Sequence, residues 1–395
     1  MTFNPVDSVA KEYPIRNAFQ NFYSDYASKH VVSKEQVKAA SCISLCKTGR
    51  LGYTAEECPD CGFKRIHARS CNNRNCPCCQ APQEQKWVTE RNSELISGAA
   101  YYHVVFTVPH DLNSLMLENP KLLYGLLFSA ASDTLITLCQ DKKYMGALPG
   151  IVSVLHTWGQ KLNYHPHLHV MLSGAGLTAD GRLVYTKHKG FIIPVKVVGK
   201  MFRGKFMFKL KAYHEAGLLS LKGIASRFDD PKQWQALVDK LYTTDWVPFI
   251  KETFNGNGNA IKYLARYAYR TAISNSRVSC DDSEDVSVSY KDYADGNKKK
   301  VMTVKGTEFI RLFLQHVLPS GVHHVRFSGF LANCKKTKSL TLIGKLLRTP
   351  YTGSPTKGKR IQELLSMMYG TDICSCPVCN QKMFQTVYIR APALT

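Results

Sequence analysis

The chain has 395 residues, and 52 Lys and Arg against 30 Asp and Glu give it a net charge of +22. An apolar fraction of 44% and a charged fraction of 21% describe an ordinary globular protein and exclude disordered, collagen-like and coiled-coil chains. The N-terminus has no apolar h-region and the most apolar stretch, Leu122 to Cys139, is broken by Gly125, Ser129, Ser132 and Asp133, so neither a signal peptide nor a membrane span is expected.

In chain order, residues 17–46 predict two short helices, with a start signal at Ser33 to Glu35. Gly52 to Gln80 is rich in turn residues and Cys, and a helix is expected from about Pro82 to Leu95. Tyr101 to Pro109 (YYHVVFTVP) is a β-branched and aromatic run ended by proline, the signal of a buried strand. Helical periodicity follows over Leu122 to Cys139. Strands at Gly150 to Trp158 and His165 to Ser173, joined by a short polar loop, predict an antiparallel hairpin. Further helices are expected at Pro194 to Ala216 and Pro231 to Tyr242, a strand at Trp246 to Thr253, a turn at Gly256 to Ala260 and a helix at Ala260 to Arg270. Short strands at Ala272 to Val278, Val286 to Tyr290 and Val301 to Val304 precede a helix at Thr307 to Leu318. Mixed order with hairpins dominating predicts an α+β fold built on an antiparallel sheet. Residues 1–98 form an N-terminal module, 99–330 a central domain and 331–395 a basic C-terminal region.

Fourteen cysteines, clustered in a chain without a secretion signal, argue for metal rather than disulfides. Cys58-Pro-Asp-Cys61 and Cys76-Pro-Cys-Cys79 are two C-x-x-C turns that can close a tetrahedral sulfur shell around zinc; Cys46, Cys71 and Cys78 lie close enough to replace a ligand or complete a second site. A third cluster, Cys374, Cys376 and Cys379, needs a partner from elsewhere in the chain. His165, His167 and His169 alternate along a strand, which places three imidazoles on one face, while His156 on the preceding strand can add a ligand across the hairpin. Convergent histidines hold a divalent metal able to polarise a phosphoryl oxygen. Tyr263 and Tyr267 are one helical turn apart, as are Arg266 and Arg270, a pair suited to gripping phosphate. A metal site, a hydroxyl nucleophile and a basic surface together describe strand cleavage through a phosphotyrosine.

These residues resemble the insertion-sequence ninety-one transposases, the two-tyrosine branch of the HUH (His, apolar, His) single-strand endonucleases. The likeness runs through SCNNRNCPCCQ (70–80), HVVFTVPHDL (103–112), LHTWGQKLNYHPHLH (155–169), YLARYAYR (263–270) and FIRLFLQHVLPSGVHHVRFSGF (309–330). The resemblance implies a rolling-circle-like transposase with an antiparallel HUH core, helical additions and an N-terminal zinc-binding DNA-recognition module. By the same carry-over, His167 and His169 bind a catalytic Mg²⁺ or Mn²⁺, His156 (with Gln160 as runner-up) supplies the third ligand, and Tyr263 and Tyr267 are the nucleophiles. Zn²⁺ falls to Cys58, Cys61, Cys76 and Cys79, with Cys71 as alternative, because Cys78 stands inside the second knuckle where the family usually has another residue. Arg266 and Arg270 would contact DNA. The partners are single-stranded DNA at element ends and target DNA, with no membrane, in the bacterial cytoplasm at the nucleoid. The same residues would serve a plasmid or phage replication nickase, and a non-catalytic zinc-dependent DNA-binding protein is the third reading.

The charge is uneven. Arg182 to Arg227 holds eleven Lys and Arg against Glu215 alone, and Lys335 to Arg360 holds eight against none, so two stretches carry +18 of the net +22. They flank the histidine and tyrosine motifs, as phosphate-tracking surfaces would.

Overall fold

The computed structural model describes residues 13–188, 190–253, 261–262, 264–265, 268–269, 272–281, 284–359, 361–370, 372, 375–381 and 385–389. From the N-terminus, α1 (Pro14–Lys29) and α2 (Lys34–Leu45) lead to a hairpin of β1 (Tyr53–Glu57) and β2 (Lys64–Ala68), then to α3 (Ala81–Asn92) and β3 (Tyr101–Thr107). Next come α4 (Asn113–Glu118), α5 (Pro120–Gln140), the long strands β4 (Leu148–Trp158) and β5 (Tyr164–Leu177), and β6 (Leu183–Tyr185). They are followed by α6 (Val195–Glu215), α7 (Pro231–Thr243), β7 (Phe249–Glu252), β8 (Val278–Cys280), β9 (Asp285–Asp292) and β10 (Lys298–Lys305). The last described elements are α8 (Gly306–Leu314), β11 (Val325–Gly329), α9 (Lys336–Leu346), α10 (Ile361–Tyr369) and β12 (Gln385–Ile389).

Among the described residues three antiparallel sheets form, in the orders β12-β1-β2, β10-β9-β8 and β11-β4-β5-β3-β7, with β6 on the side of β5. This is the expected α+β class. Local signals set the ends of the helices: Ser33 accepts from the backbone N–H of Gln36, whose side chain returns a bond to the Ser33 N–H, and Asp230 caps α7 ahead of Pro231.

The central sheet is buried on both faces, so β3, β4 and β5 are apolar almost throughout. One face carries Tyr102, Val104, Phe106, Leu168, Val170 and Leu172 into a core with α5 and α6. There the Phe106 and Phe202 rings lie 4.7 Å apart, and Trp246 sits 5.4 Å from Phe202. α5 is long and apolar enough to cross a membrane by length and composition, but eleven of its residues are buried in this core. The opposite face carries Val152, Val154 and Met171 against Trp87, Ile261, Leu264, Ala265, Ala268, Leu340 and Ile343. Where β11 ends beside β4, Gly329 has φ +64 and a Cβ there would lie 1.7 Å from the Pro149 carbonyl oxygen, a place open only to glycine.

A third core joins the N-terminal helices to residues 272–314. Ile15, Phe19 and Ile43 from α1 and α2 pack with Val286, Val288, Phe309 and Phe313, the Phe19 and Phe313 rings meeting edge to face at 5.1 Å. The N-terminal helices are therefore anchored on β9 and α8. The strand expected at Ala272 to Val278 is instead a left-handed Ala272 (φ +57), a 3-10 turn at Asn275–Arg277 and a strand that begins only at Val278. Asn275 leaves the extended path because its side-chain oxygen accepts from the Ile15 N–H. The turn expected at Gly256 to Ala260 lies outside the described residues.

Phe106 is fully buried between sheet and α6, so Phe106→Ala is expected to lose about 3–5 kcal/mol. Urea unfolding followed by circular dichroism measures this; a loss below about 1 kcal/mol would mean that the contact with Phe202 is not part of the stable core.

Candidate functional site

The register of β4 on β5 places His156 directly opposite His167, while His169 faces Val154 on one side and Val105 of β3 on the other. Residues paired across an antiparallel ladder share a face. His156, His167 and His169 therefore project together, and one ring nitrogen from each lies within 4.8 Å of the others. All three are buried. His165 stands outside this group: it contributes its carbonyl, to which His167 Nδ1–H donates at 2.6 Å. That bond fixes the tautomer and leaves the His167 Nε2 lone pair pointing at His169 Nε2, 3.1 Å away. Two nitrogens about 2.1 Å from a metal at a right angle would stand about 3 Å apart, so the pair fits adjacent positions on one ion. His156 is steadied by stacking on Trp158, with ring centres 4.1 Å apart.

Burial holds His167 and His169 in the neutral form that ligation requires. It pushes His167 down to about 4 and His169 well below its ordinary value, the neighbouring imidazoles adding to the second effect. His103 on β3, a residue to which the sequence motifs assigned no role, lies with Nε2 2.9 Å from His169 Nδ1 and shares one proton with it. Such an outer partner orients a ligating imidazole. Its signal was the alternation of β3, which puts His103 and Val105 on the same side. Gln160 is directed elsewhere, with its amide donating to the Tyr293 hydroxyl and accepting from the Lys291 N–H.

Tyr263, Tyr267, Arg266 and Arg270 lie outside the described residues. Their neighbours Ile261, Leu264, Ala265 and Ala268 are buried in the layer that covers the histidine-bearing face of the sheet. His324 donates from Nε2 to the Ala268 carbonyl at 2.8 Å, and His316 donates to the Leu162 carbonyl while accepting from the Thr157 hydroxyl. These bonds tie the segment and the β4–β5 turn to the approach of β11. A cleft beside them is lined by Arg74, Trp158, Ala268, Tyr269, His316 and His324.

The cysteines divide differently from the expected set. Cys58 and Cys61 sit at the tip of the β1–β2 hairpin, while Cys76 and Cys79 lie beyond its base. The five residues of β2 span about 17 Å, too far for one ion to bridge, which is the physical reason that Cys58, Cys61, Cys76 and Cys79 do not converge. Among the described residues two separate groups form instead, Cys46 with Cys71, Cys76 and Cys79, and Cys58 with Cys61, Cys376 and Cys379. Cys78 is in neither set of four, although it lies against Cys46 and Cys76 of the first, and Cys374 is outside the described residues. In the first group Cys71 Sγ and Cys79 Sγ are 3.8 Å apart, the edge expected of a tetrahedron with Zn–S bonds of about 2.3 Å. The loop this group ties down is the one that carries Arg74 to the cleft.

A family model described as "Putative transposase" matches residues 150–338, and one described as "Transposase zinc-binding domain" matches residues 18–108. The chain is 35% identical over 378 residues, 95% of either chain, to a protein of Sinorhizobium fredii named "Putative transposase y4qJ". It is 25% identical over 364 residues, 90% of this chain and 84% of the relative, to the "Transposase for insertion sequence element IS801" of Pseudomonas savastanoi. No solved structure matches. Cys46, Cys71, Cys76 and Cys79 all fall within the zinc-binding match, and a structural zinc belongs to this module.

Burial holds His167, His316 and His324 at about 4 in the folded chain, against about 6.5 when unfolded. Between those values the unfolded chain binds more protons, so stability is full above about pH 6.5 and falls as pH drops towards 4. In chelator, the urea midpoint is expected to be lower at pH 5 than at pH 7.5, and His316→Gln is expected to flatten that dependence. An unchanged dependence in the variant would show that folding does not lower the pKa of His316.

Proposed function

The chain belongs to the insertion-sequence ninety-one family of transposases, and we propose that it nicks and rejoins single-stranded DNA at element ends through 5′-phosphotyrosine links, in rolling-circle-like transposition. The observation that carries this reading is the convergence of His156, His167 and His169 on the sheet face against which the residues flanking Tyr263 and Tyr267 are packed. Three convergent imidazoles are a donor set for a divalent ion with nitrogen affinity, which favours Mn²⁺ over Mg²⁺. Bound there, the ion would supply charge stabilisation at the scissile phosphate.

Each step is then a transesterification. The hydroxyl oxygen of Tyr263 or Tyr267 attacks phosphorus and loses its proton, the bond from phosphorus to the 3′ oxygen breaks, and the strand is left with a free 3′-OH and a 5′-phosphotyrosine. The link conserves the phosphodiester, so a 3′-OH can reverse it without a nucleotide cofactor. Two tyrosines allow donor and target strands to be held at once. In this reading residues 99–330 carry catalysis, with Arg266 and Arg270 on phosphate, while 1–98 and 331–395 add recognition surface. Lys338, Lys345, Lys357 and Lys359 are exposed and lie on or after α9, whose Leu340 and Ile343 pack in the same layer as the tyrosine segment.

With labelled single-stranded element ends and Mn²⁺, the wild type is expected to form a covalent protein-DNA product, and Tyr263→Phe with Tyr267→Phe to abolish it while DNA binding survives. Adducts from the double variant would sink the nucleophile assignment. Changing Lys338, Lys345, Lys357 and Lys359 to Gln is expected to reduce the slope of log affinity against log salt by roughly 0.7 for each phosphate no longer neutralised. An unchanged slope, measured by fluorescence anisotropy, would place the strand elsewhere.

A further inference from the structure

We propose that Cys58, Cys61, Cys376 and Cys379 hold a second structural zinc ion, one that clasps the C-terminal segment onto the N-terminal hairpin. This site is independent of the nicking chemistry. It also differs from the first cysteine cluster in that half of its donors lie outside the zinc-binding match at residues 18–108.

The two C-x-x-C turns have the same backbone geometry although 315 residues separate Cys61 from Cys376. In one, the Cys58 N–H donates to the Phe63 carbonyl and the Gly62 N–H to the Cys58 carbonyl; in the other, the Cys376 N–H donates to the Gln381 carbonyl and the Asn380 N–H to the Cys376 carbonyl. The fifth residue of each turn is left-handed, Gly62 at φ +70 and Asn380 at φ +58. Each turn thus presents two sulfurs on one side, and the Val378 N–H already donates to Cys376 Sγ at 3.4 Å, as to a thiolate.

The pairing of the strands brings the turns face to face. β12 runs antiparallel to β1, with Glu57 opposite Gln385, so Cys58 follows β1 where the second turn precedes β12. Cys58 Sγ is 3.5 Å from Cys379 Sγ, and Cys61 Sγ is 3.5 Å from Cys376 Sγ. Disulfide sulfurs would be bonded at about 2.05 Å, whereas four thiolates around zinc lie about 3.8 Å apart. The chemistry that fits is a zinc ion held by four thiolates, and its consequence is topological. The last described strand becomes the outer strand of the first sheet, covering the edge of β1 that would otherwise be open to other chains.

The test uses the full-length, metal-loaded protein. Cobalt titration of the metal-free chain is expected to develop thiolate charge-transfer absorbance to an endpoint of two equivalents, and mass spectrometry after brief alkylation to find Cys58, Cys61, Cys376 and Cys379 protected relative to the exposed Cys334. Cys376→Ser with Cys379→Ser should lower bound zinc by one equivalent per chain and open the C-terminal segment to limited proteolysis. An endpoint of one equivalent, or alkylation of Cys376 and Cys379 as fast as Cys334 in the loaded wild type, overturns the proposal; both readouts need no variant, so misfolding of the double substitution cannot obscure the outcome.

Discussion

Everything at the site depends on the register between β4 and β5. A slip of one residue would turn every side chain on a strand to the other face. His156 would then no longer face His167, and the apolar residues of both cores would change places. The register is held from both sides, because Leu155, Leu168 and Val170 must enter one core while Val152, Val154 and Met171 enter the other. Burying both faces also strips water from the imidazoles between them. The packing that aligns the histidines is thus the packing that keeps His167 and His169 neutral.

Around this sheet the chain is held by contacts of very long sequence separation. α1 and α2 lie on β9 and α8, the Gln36 amide donates to the Leu314 carbonyl, and β12 returns to β1. A small β1–β2 hairpin buries too little apolar surface to stand alone, which is where cysteine clusters contribute most. One cluster ties the loop beyond the hairpin base to α2, and the other lies at its tip. The loop that reaches the cleft with Arg74 is bounded by cysteines of the first.

The basic stretches have two uses. On α6, Arg203 donates to the carbonyls of Tyr242 and Thr244, and Lys205 to the Asp133 carbonyl and the Thr137 hydroxyl, so part of the positive charge between Arg182 and Arg227 fastens that helix to α5 and α7. Lys338, Lys345, Lys357 and Lys359, on and after α9, are exposed instead. A count of charge along the sequence treats the two alike; their surroundings separate a helix anchor from a surface fit to meet phosphate.

By itself the sequence determined the α+β class, the long strands and helices, the alternation that sets His167 and His169 side by side, and the zinc-binding character of the N-terminal cysteine-rich module. These are local properties, written in periods of two and 3.6 residues, in caps and in short spacings. Only the tertiary structure decided which cysteines come together, that His103 supports His169, that Asn275 breaks an expected strand to meet Ile15, and that the C-terminal segment completes the first sheet. Each of those joins residues far apart in sequence through strand register or side-chain contact. No period within one segment can encode such a join, because the partner is chosen by the packing of the whole chain.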